Sequence, residues 1–179
     1  MAIAKKKKKF FDVEIPLINK TAEIYAFELE ELEGKFIKYD MTRLLKGKSM
    51  ELQLKIKVDG EIATASPTKL NLLPSHLKRM ARKGTSYVED SFSAPCNDAQ
   101  LRIKPFLVTR RKVSRAVRKA LREKAREEIT NYIKEKDTEQ LFDDVLRNSL
   151  QKTLSLILKK IYPLSLCEIR VLKVENKKQ

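Results

Sequence analysis

The segment from Val108 to Glu128, VTRRKVSRAVRKALREKAREE, carries nine basic side chains between Arg110 and Arg126. On a helix that turns by about 100° per residue, five arginines of this segment fall in one stripe about 80° wide. They are Arg111, Arg115, Arg118, Arg122 and Arg126. A guanidinium group binds a phosphate through two parallel hydrogen bonds and stacks on bases, whereas a lysine offers a hydrated point charge. The stripe therefore predicts a surface that contacts a polyanion.

Small apolar residues lie on the opposite side of this helix and predict the face that packs on the protein. They are Val113, Ala116, Val117, Ala120 and Leu121. A helix that lies on an anionic membrane would need Trp or Phe anchors in that face, so packing on a sheet is favoured. A plain solvated helix face is the other alternative. It would interleave glutamates with the arginines, but Glu123, Glu127 and Glu128 come later and mostly off the stripe.

The positive charge is concentrated around this segment. The chain has a net charge of +15, and residues 76–136 alone hold 17 basic and 7 acidic groups, which is +10. Such a local excess favours a contact face for nucleic acid over a general adjustment of solubility.

Two further basic segments join the predicted binding surface. The lysine run at residues 5–9 is either an arm that orders on nucleic acid or a solvated tail. The segment SHLKRMARKG predicts a short helix with Ser75 as its N-cap and Gly84 at its end. The predicted nucleic-acid-binding residues are Lys5, Lys6, Lys7, Lys8, Lys9, Lys78, Arg79, Arg82, Arg110, Arg111, Arg115, Arg118 and Arg122.

The elements that must position these residues change character along the chain. Alternating residues in MELQLKIKV (50–58) predict a strand with one buried face, and Asp59-Gly60 predicts a hairpin after it. Strands are also predicted in KFFDVEIPLI, AEIYAFEL, SYVEDSF and AQLRIKPF. Tyr25, Tyr39 and Phe92 each lie in an alternating pattern, which favours a place in the core over a base-stacking role. Residues 109–136 and 138–161 predict two long helices, and LCEIRV predicts a last strand.

These elements predict an α+β fold: a mainly antiparallel sheet or small β-barrel, one short helix, two long C-terminal helices and a final strand. The expected organisation is a basic N-terminal arm (1–9), a single α+β domain (10–174) and a polar C-terminal tail (175–179).

No pattern in the sequence indicates a catalytic, cofactor or metal site. Four glycines are too few for a phosphate-binding Gly-rich loop, and Cys96 and Cys167 lack zinc-site or nucleophile motifs. The single histidine, His76, has no acid or thiol near it in sequence. No run of about 18 apolar residues predicts a membrane span, and no apolar stretch predicts a secretory signal after the lysine run.

The C-terminal sequence KKIYPLSLCEIRVLKV (159–174) resembles the end of the archaeal and eukaryotic small-subunit ribosomal protein family S3Ae. The matching residues are Ile161, Tyr162, Pro163, Leu164, Ile169, Arg170 and Lys173. KKKFFDVEIP (7–16), LPSHLKRMARKGTS (73–86) and the basic segment are similar to other family landmarks and occur in the same order. The second hairpin differs, because it reads Asp98-Ala99-Gln100 where the family has Asp-Gly-Tyr.

This resemblance implies a structural, non-enzymatic protein of the small ribosomal subunit, bound to the ribosome in the cytoplasm. Its partners would be small-subunit rRNA and neighbouring ribosomal proteins on the platform near the messenger exit site, with messenger RNA as a further partner. Binding would use phosphates and shape, because A-form RNA hides its major groove. Two alternatives stay open: a free-standing translation factor or RNA chaperone, and an enzyme with an acidic substrate.

Overall fold

The computed structural model of the chain describes residues 7–177 and confirms the α+β fold. The strands are β1 (Lys9–Ile15), β2 (Lys20–Ala26), β3 (Phe36–Asp40), β4 (Met50–Asp59), β5 (Ile62–Leu72), β6 (Tyr87–Glu89), β7 (Phe92–Pro95), β8 (Ala99–Thr109) and β9 (Leu164–Lys177). The helices are α1 (Pro74–Met80), α2 (Arg115–Lys134), α3 (Thr138–Leu146) and α4 (Ser149–Leu158). Within the described residues the nine strands form a mixed sheet that does not close into a barrel.

The chain divides into two compact units. The first contains the described residues up to Tyr39 together with residues 53–68, and the second contains residues 40–52 and all residues from Lys69 onward. Lys9, the end of the predicted arm, is the first residue of β1, and residues 175–177 of the predicted tail belong to β9. A single domain over residues 10–174 stays a prediction.

The first unit is built on the hairpin of β1 and β2. These strands pair antiparallel from Lys9 opposite Ala26 to Ile15 opposite Lys20, and β1 pairs in parallel with β5 at Val13 and Ala63. The predicted alternation is present, because Val13 and Ile15 are buried while the residues between and before them are exposed or half-buried.

One consequence drawn from that alternation is wrong. Tyr25 was expected in the core, but its place in the register is opposite Phe10 on the outer face of the hairpin, and 56% of its surface is exposed. Tyr39 is half-buried, and Phe92 in the second unit is buried as expected. An alternating pattern predicts that a strand has a buried and an exposed face, but an aromatic residue can lie on either face.

The second unit is organised by the long antiparallel ladder of β8 and β9. It runs from Ala99 opposite Lys177 to Thr109 opposite Leu164, with β6 and β7 paired to β8. Pro105 lies within β8 rather than at its end, because a shift of register between Lys104 and Pro105 accommodates the missing N–H group.

The helices of the second unit differ from their predicted limits. The predicted helix 138–161 is two helices, because Asn148 adopts a left-handed conformation with φ of 61° between α3 and α4. Asn tolerates this conformation better than most residues, and its Oδ1 accepts a hydrogen bond from Lys48 Nζ at 2.7 Å. Ser75 is not an N-cap, since α1 begins at Pro74 with Leu73 before it.

The start of α3 is fixed by a residue from the turn between β7 and β8. Asp98 Oδ1 accepts hydrogen bonds from the Thr138 N–H at 3.0 Å, from Thr138 Oγ1 at 2.7 Å and from Cys96 Sγ at 3.2 Å. The N-cap residue itself, Asp137, makes no capping bond with its side chain. Burial acts to raise the pKa of Asp98, but the bonds from Thr138 and Cys96 outweigh it and hold the pKa below 3.8.

Replacing Asp98 with Ala should lower the free energy of unfolding by about 1–3 kcal/mol, because it leaves the Thr138 donors without this acceptor. The pKa of Asp98 is lower in the folded protein than in the unfolded chain. The charged carboxylate therefore stabilises the fold at pH values above the ordinary pKa of an aspartate. This contribution is lost as the pH falls through the folded pKa. Urea unfolding should therefore show a difference in the free energy of unfolding between the wild type and Asp98→Asn. This difference should be constant above about pH 5 and become smaller in stronger acid.

Asp59→Asn is the matched control, because Asn-Gly keeps the hairpin turn after β4. Equal losses of stability in Asp98→Ala and Asp59→Asn would contradict the capping role of Asp98.

The two cysteines are held inside the second unit. Cys96 Sγ lies 2.9 Å from the carbonyl oxygen of Ala99, and Cys96 itself is buried. Burial raises the pKa of the Cys167 thiol to about 12, and the neighbouring Glu168 carboxylate acts in the same direction. Because the thiolate is the reactive form, Cys167 is poorly suited to nucleophilic chemistry at neutral pH.

Iodoacetamide at pH 8 should therefore leave Cys167 unmodified in the native protein and modify it after unfolding in guanidinium chloride. Mass spectrometry of the digested protein measures both states. Rapid modification of Cys167 in the native protein would contradict the raised pKa.

Candidate nucleic-acid interface

A buried threonine holds the segment that leads from β8 into α2. Thr109 is fully buried, and its Oγ1 accepts a hydrogen bond from the Ser86 N–H at 3.0 Å. The same hydroxyl lies 2.7 Å from the carbonyl oxygen of Arg111 and 2.9 Å from that of Ser86. Ser86 Oγ in turn accepts from the Val113 N–H at 3.3 Å. The backbone that carries Arg110 and Arg111 is therefore fixed against the start of β6.

Helix α2 begins later than predicted, at Arg115. Ser114 is its N-cap and accepts a hydrogen bond from the Val117 N–H at 3.4 Å. Arg110 and Arg111 consequently lie in the linker before the helix, while Arg115, Arg118 and Arg122 lie on its first two turns. The predicted helical stripe is thus shorter by one residue at its N-terminal end.

The buried face of α2 is rotated from the one predicted, and Leu121 is the only fully buried residue that the two faces share. Leu121, Ala125, Ile129 and Ile133 are buried, whereas the expected packing residues Ala116 and Ala120 are exposed. At about 100° per residue, this places the arginines beside the buried face and not opposite to it. The prediction failed because small alanines do not define a packing face when a stripe of larger apolar residues competes with them.

Arg118 shows the result of this offset most clearly. It is half-buried, and its Nε atom is buried without a hydrogen-bond partner in the described part of the chain. A long arginine stem can cover apolar surface while its guanidinium group reaches outward. An unpaired buried N–H group costs the folded protein free energy, so this contact of Arg118 with the core is not an optimal hydrogen-bonding arrangement.

Arg126, the last residue of the stripe, already has an internal partner. Its Nε and Nη2 atoms donate to the two carboxylate oxygens of Asp90 at 3.0 and 3.1 Å, and its guanidinium lies 5.3 Å from the Phe92 ring centroid. The bidentate pair and the ring contact join α2 to the segment between β6 and β7. Among the five arginines of the stripe, Arg126 is the one with an ion pair within residues 7–177.

The charges of α2 divide into two halves. Residues 110–122 contain seven basic and no acidic side chains. Among the ion pairs of residues 7–177, none involves Arg110, Arg111, Arg115, Arg118 or Arg122. Farther along the helix, Lys124 contacts both Glu127 and Glu128 at 2.9 Å. The unpaired positive charge is therefore concentrated at the N-terminal end of α2.

An open cleft of about 450 Å³ lies beside Arg122. Its other lining residues are Glu89, Asp90, Ser91, Lys104, Pro105 and Arg170. Asp90 is paired with Arg126, and Glu89 lies 3.4 Å from Arg170. Arg122 and Lys104 thus remain as cationic groups at this cleft. The sequence did not predict Lys104, because its position beside Arg122 depends on how α2 packs on β6 and β7, which pair with β8.

The predicted basic residues on and after α1 are connected to this surface through the backbone that leads to β6. Lys78, Arg79 and Arg82 are exposed, and the turn from Arg82 to Thr85 leads directly to Ser86. Arg79 Nη2 lies 3.3 Å from Nδ1 of His76.

His76 itself has a structural role. It is buried, and its Nδ1 accepts a hydrogen bond from the Ser49 N–H at 3.5 Å. Burial, followed by the charge of Arg79, lowers the pKa of His76. His76 therefore helps to join α1 to the segment before β4.

The predicted lysine arm lies in the other unit or outside the described residues. Lys5 and Lys6 fall outside residues 7–177, and Lys7, Lys8 and Lys9 are exposed at the start of the first unit. Within the described residues, no cluster of three or more His, Cys, Asp or Glu side chains could hold a metal ion. No helix of that part of the chain is long and apolar enough to span a membrane.

Comparison with known proteins gives a consistent family assignment. The model of the ribosomal S3Ae family matches residues 4–178. The small ribosomal subunit protein eS1 of Pyrobaculum arsenaticum is 30% identical over 158 residues, which cover 86% of this chain and 72% of the relative. The protein of the same name from Nanoarchaeum equitans is 25% identical over 166 residues, covering 88% of this chain and 84% of the relative. The chain belongs to the ribosomal S3Ae family.

Proposed function

We propose that this protein binds small-subunit rRNA through the linker before α2 and the first two turns of that helix. Membership of the ribosomal S3Ae family makes it a structural, non-enzymatic protein of the small ribosomal subunit. The earlier alternatives of a free-standing factor and of an enzyme are therefore set aside. Neighbouring ribosomal proteins are its further partners, and its place is on the ribosome in the cytoplasm.

The observation that carries the rRNA proposal is the set of arginines without internal partners. Arg110, Arg111, Arg115 and Arg122 are exposed, and Arg118 carries a buried Nε without a hydrogen-bond partner in the described residues. Like charges this close together repel each other, by a few tenths of a kcal/mol for each adjacent pair on the helix. The phosphates of folded RNA would remove this repulsion and release bound counterions.

The geometry favours contacts to the RNA backbone. The arginines project from one short linker and two helical turns, and Arg122 and Lys104 line an open cleft and not a deep pocket. Duplex RNA offers phosphates and 2′-hydroxyl groups in its accessible groove, so such a row reads shape more than base sequence. Lys78, Arg79 and Arg82 on and after α1 are included in the proposed surface.

The family likeness also supports a finer location. We place the protein on the platform of the small subunit near the messenger exit site, where messenger RNA is a further candidate partner. Mapping hydroxyl-radical cleavage of rRNA from a reagent attached at position 119 tests this location. Cleavage confined to RNA far from the platform would contradict it.

Replacing Arg111, Arg115 and Arg122 together with Gln should weaken binding to purified small-subunit rRNA and flatten its salt dependence. Each lost phosphate contact reduces the slope of log affinity against log salt by roughly 0.9, so the slope should fall by about 2–3. Filter binding across a salt series measures both quantities, and urea unfolding confirms that the variant is folded.

The matched control replaces Lys134, Lys159 and Lys160 with Gln, since these lysines are exposed in the same unit but lie outside the proposed surface. If both triple variants changed the slope equally, the arginines would be only a solvated face. Sedimentation adds a test of the structural role, because an integral subunit protein stays with small subunits at moderate salt and a transient factor washes off.

A further inference from the structure

Four side chains form an exposed aromatic and basic patch on the outer face of the β1–β2 hairpin. Phe10, Tyr25 and Phe27 are 68%, 56% and 39% exposed. The rings of Phe10 and Tyr25 lie with centroids 4.9 Å apart and planes tilted by 41°. Lys8 Nζ lies 5.6 Å from the Tyr25 ring centroid and 5.1 Å from that of Phe27. We name Lys8, Phe10, Tyr25 and Phe27 the hairpin patch.

The hairpin patch lies outside the core of its own unit. The inner face of the same hairpin already supplies the core through Val13, Ile15 and Ala26. Phe10 and Tyr25 lie opposite each other on the outer face, so their contact is a cross-strand pair that leaves much of both rings in water. Three large exposed rings at one place mark a surface that binds something.

We infer that the hairpin patch binds unpaired nucleotides of single-stranded RNA, whose bases stack on its rings. Exposed aromatic rings beside cations are the combination that binds single strands, because every base has a flat face and every nucleotide has a phosphate. Bases inside a duplex are covered on both faces by their neighbours, so only unpaired bases can stack in this way. This site is separate from the proposed rRNA surface and uses none of the α2 arginines.

Charge favours RNA over an apolar protein segment as the occupant. Lys8 lies over two of the rings, and the exposed Lys7 and Lys9 flank it in sequence. The next cross-strand pair on the outer face, two residues farther along β1, is acidic, with Asp12 opposite Glu23. These carboxylates repel phosphates, so the RNA backbone must leave the rings toward the lysine end of the hairpin.

Binding of fluorescein-labelled ten-nucleotide oligoadenylate to the full-length protein tests this inference by fluorescence anisotropy. The double variant Phe10→Leu and Tyr25→Leu keeps apolar side chains but removes the rings. It should bind the oligonucleotide at least about tenfold more weakly, because stacking on two rings is lost. The slope of log affinity against log salt concentration should equal that of the wild type, because the substitutions change no charge.

Tyr87→Leu is the matched control, because Tyr87 is a 60% exposed tyrosine on β6 outside the hairpin. Tyr87→Leu should bind the oligonucleotide with the affinity of the wild type. For a duplex of the same length, the Phe10 and Tyr25 double variant and the wild type should have equal affinities. Wild-type affinity of that variant for oligoadenylate would overturn the inference and would assign the patch to an apolar contact with another protein.

A second measurement reports stacking directly. The chain contains no tryptophan, so Phe10→Trp introduces a single tryptophan, whose fluorescence can be excited selectively, within the hairpin patch. Saturating oligoadenylate should quench this fluorescence through base stacking. Binding without quenching would show that RNA is held elsewhere and would also overturn the inference.

Discussion

Seven basic side chains within residues 110–122 repel one another, and the contacts that fix the backbone of this segment to the rest of the protein are uncharged. The buried hydroxyl of Thr109 fixes the linker to Ser86, Ser114 caps the helix, and Leu121 and Ala125 anchor its first turns in the core. Neutral groups can position charges without neutralising them. A helix anchored by acidic partners would be more stable by itself and less available to phosphates.

The placement of acidic residues follows the same division. Asp90 engages Arg126, and Glu127 and Glu128 engage Lys124, all toward the C-terminal side of the cationic segment. The Arg126–Asp90 pair fastens α2 to the segment between β6 and β7, whereas the Lys124 pairs lie within the helix. The arginines of residues 110–122 have no ion pair within residues 7–177, so they keep a positive field that attracts a polyanion over distances comparable to the screening length.

The arginines and the hairpin patch illustrate two ways of meeting RNA. An arginine row contacts phosphates and reads the shape of a folded backbone. Exposed rings beside a lysine offer stacking, which needs bases that are free of their own neighbours. The proposed surface on α2 and the inferred site on the β1–β2 hairpin would thus bind different states of RNA.

Local periodicity was enough to predict much of the fold. The alternation of MELQLKIKV and the Asp59-Gly60 turn occur as predicted, because they depend on neighbours in sequence. The predicted strand SYVEDSF is instead two short strands, β6 and β7, which both pair with β8. The break at Asn148 and the late start of α2 could not be predicted in this way. The break depends on the hydrogen bond between Asn148 and Lys48, which is a hundred residues away. The start of α2 depends on the linker before it, which is bound to Ser86.

The sequence by itself determined the α+β class, the concentration of basic residues around α2 and the family resemblance. All three follow from residue types and spacing, which folding does not change. Only the tertiary structure decided that Arg126 is paired, that Arg118 is half-buried and that Tyr25 faces solvent. The physical reason is that burial and ion pairing depend on which distant surface each side chain meets, and no local pattern encodes that surface.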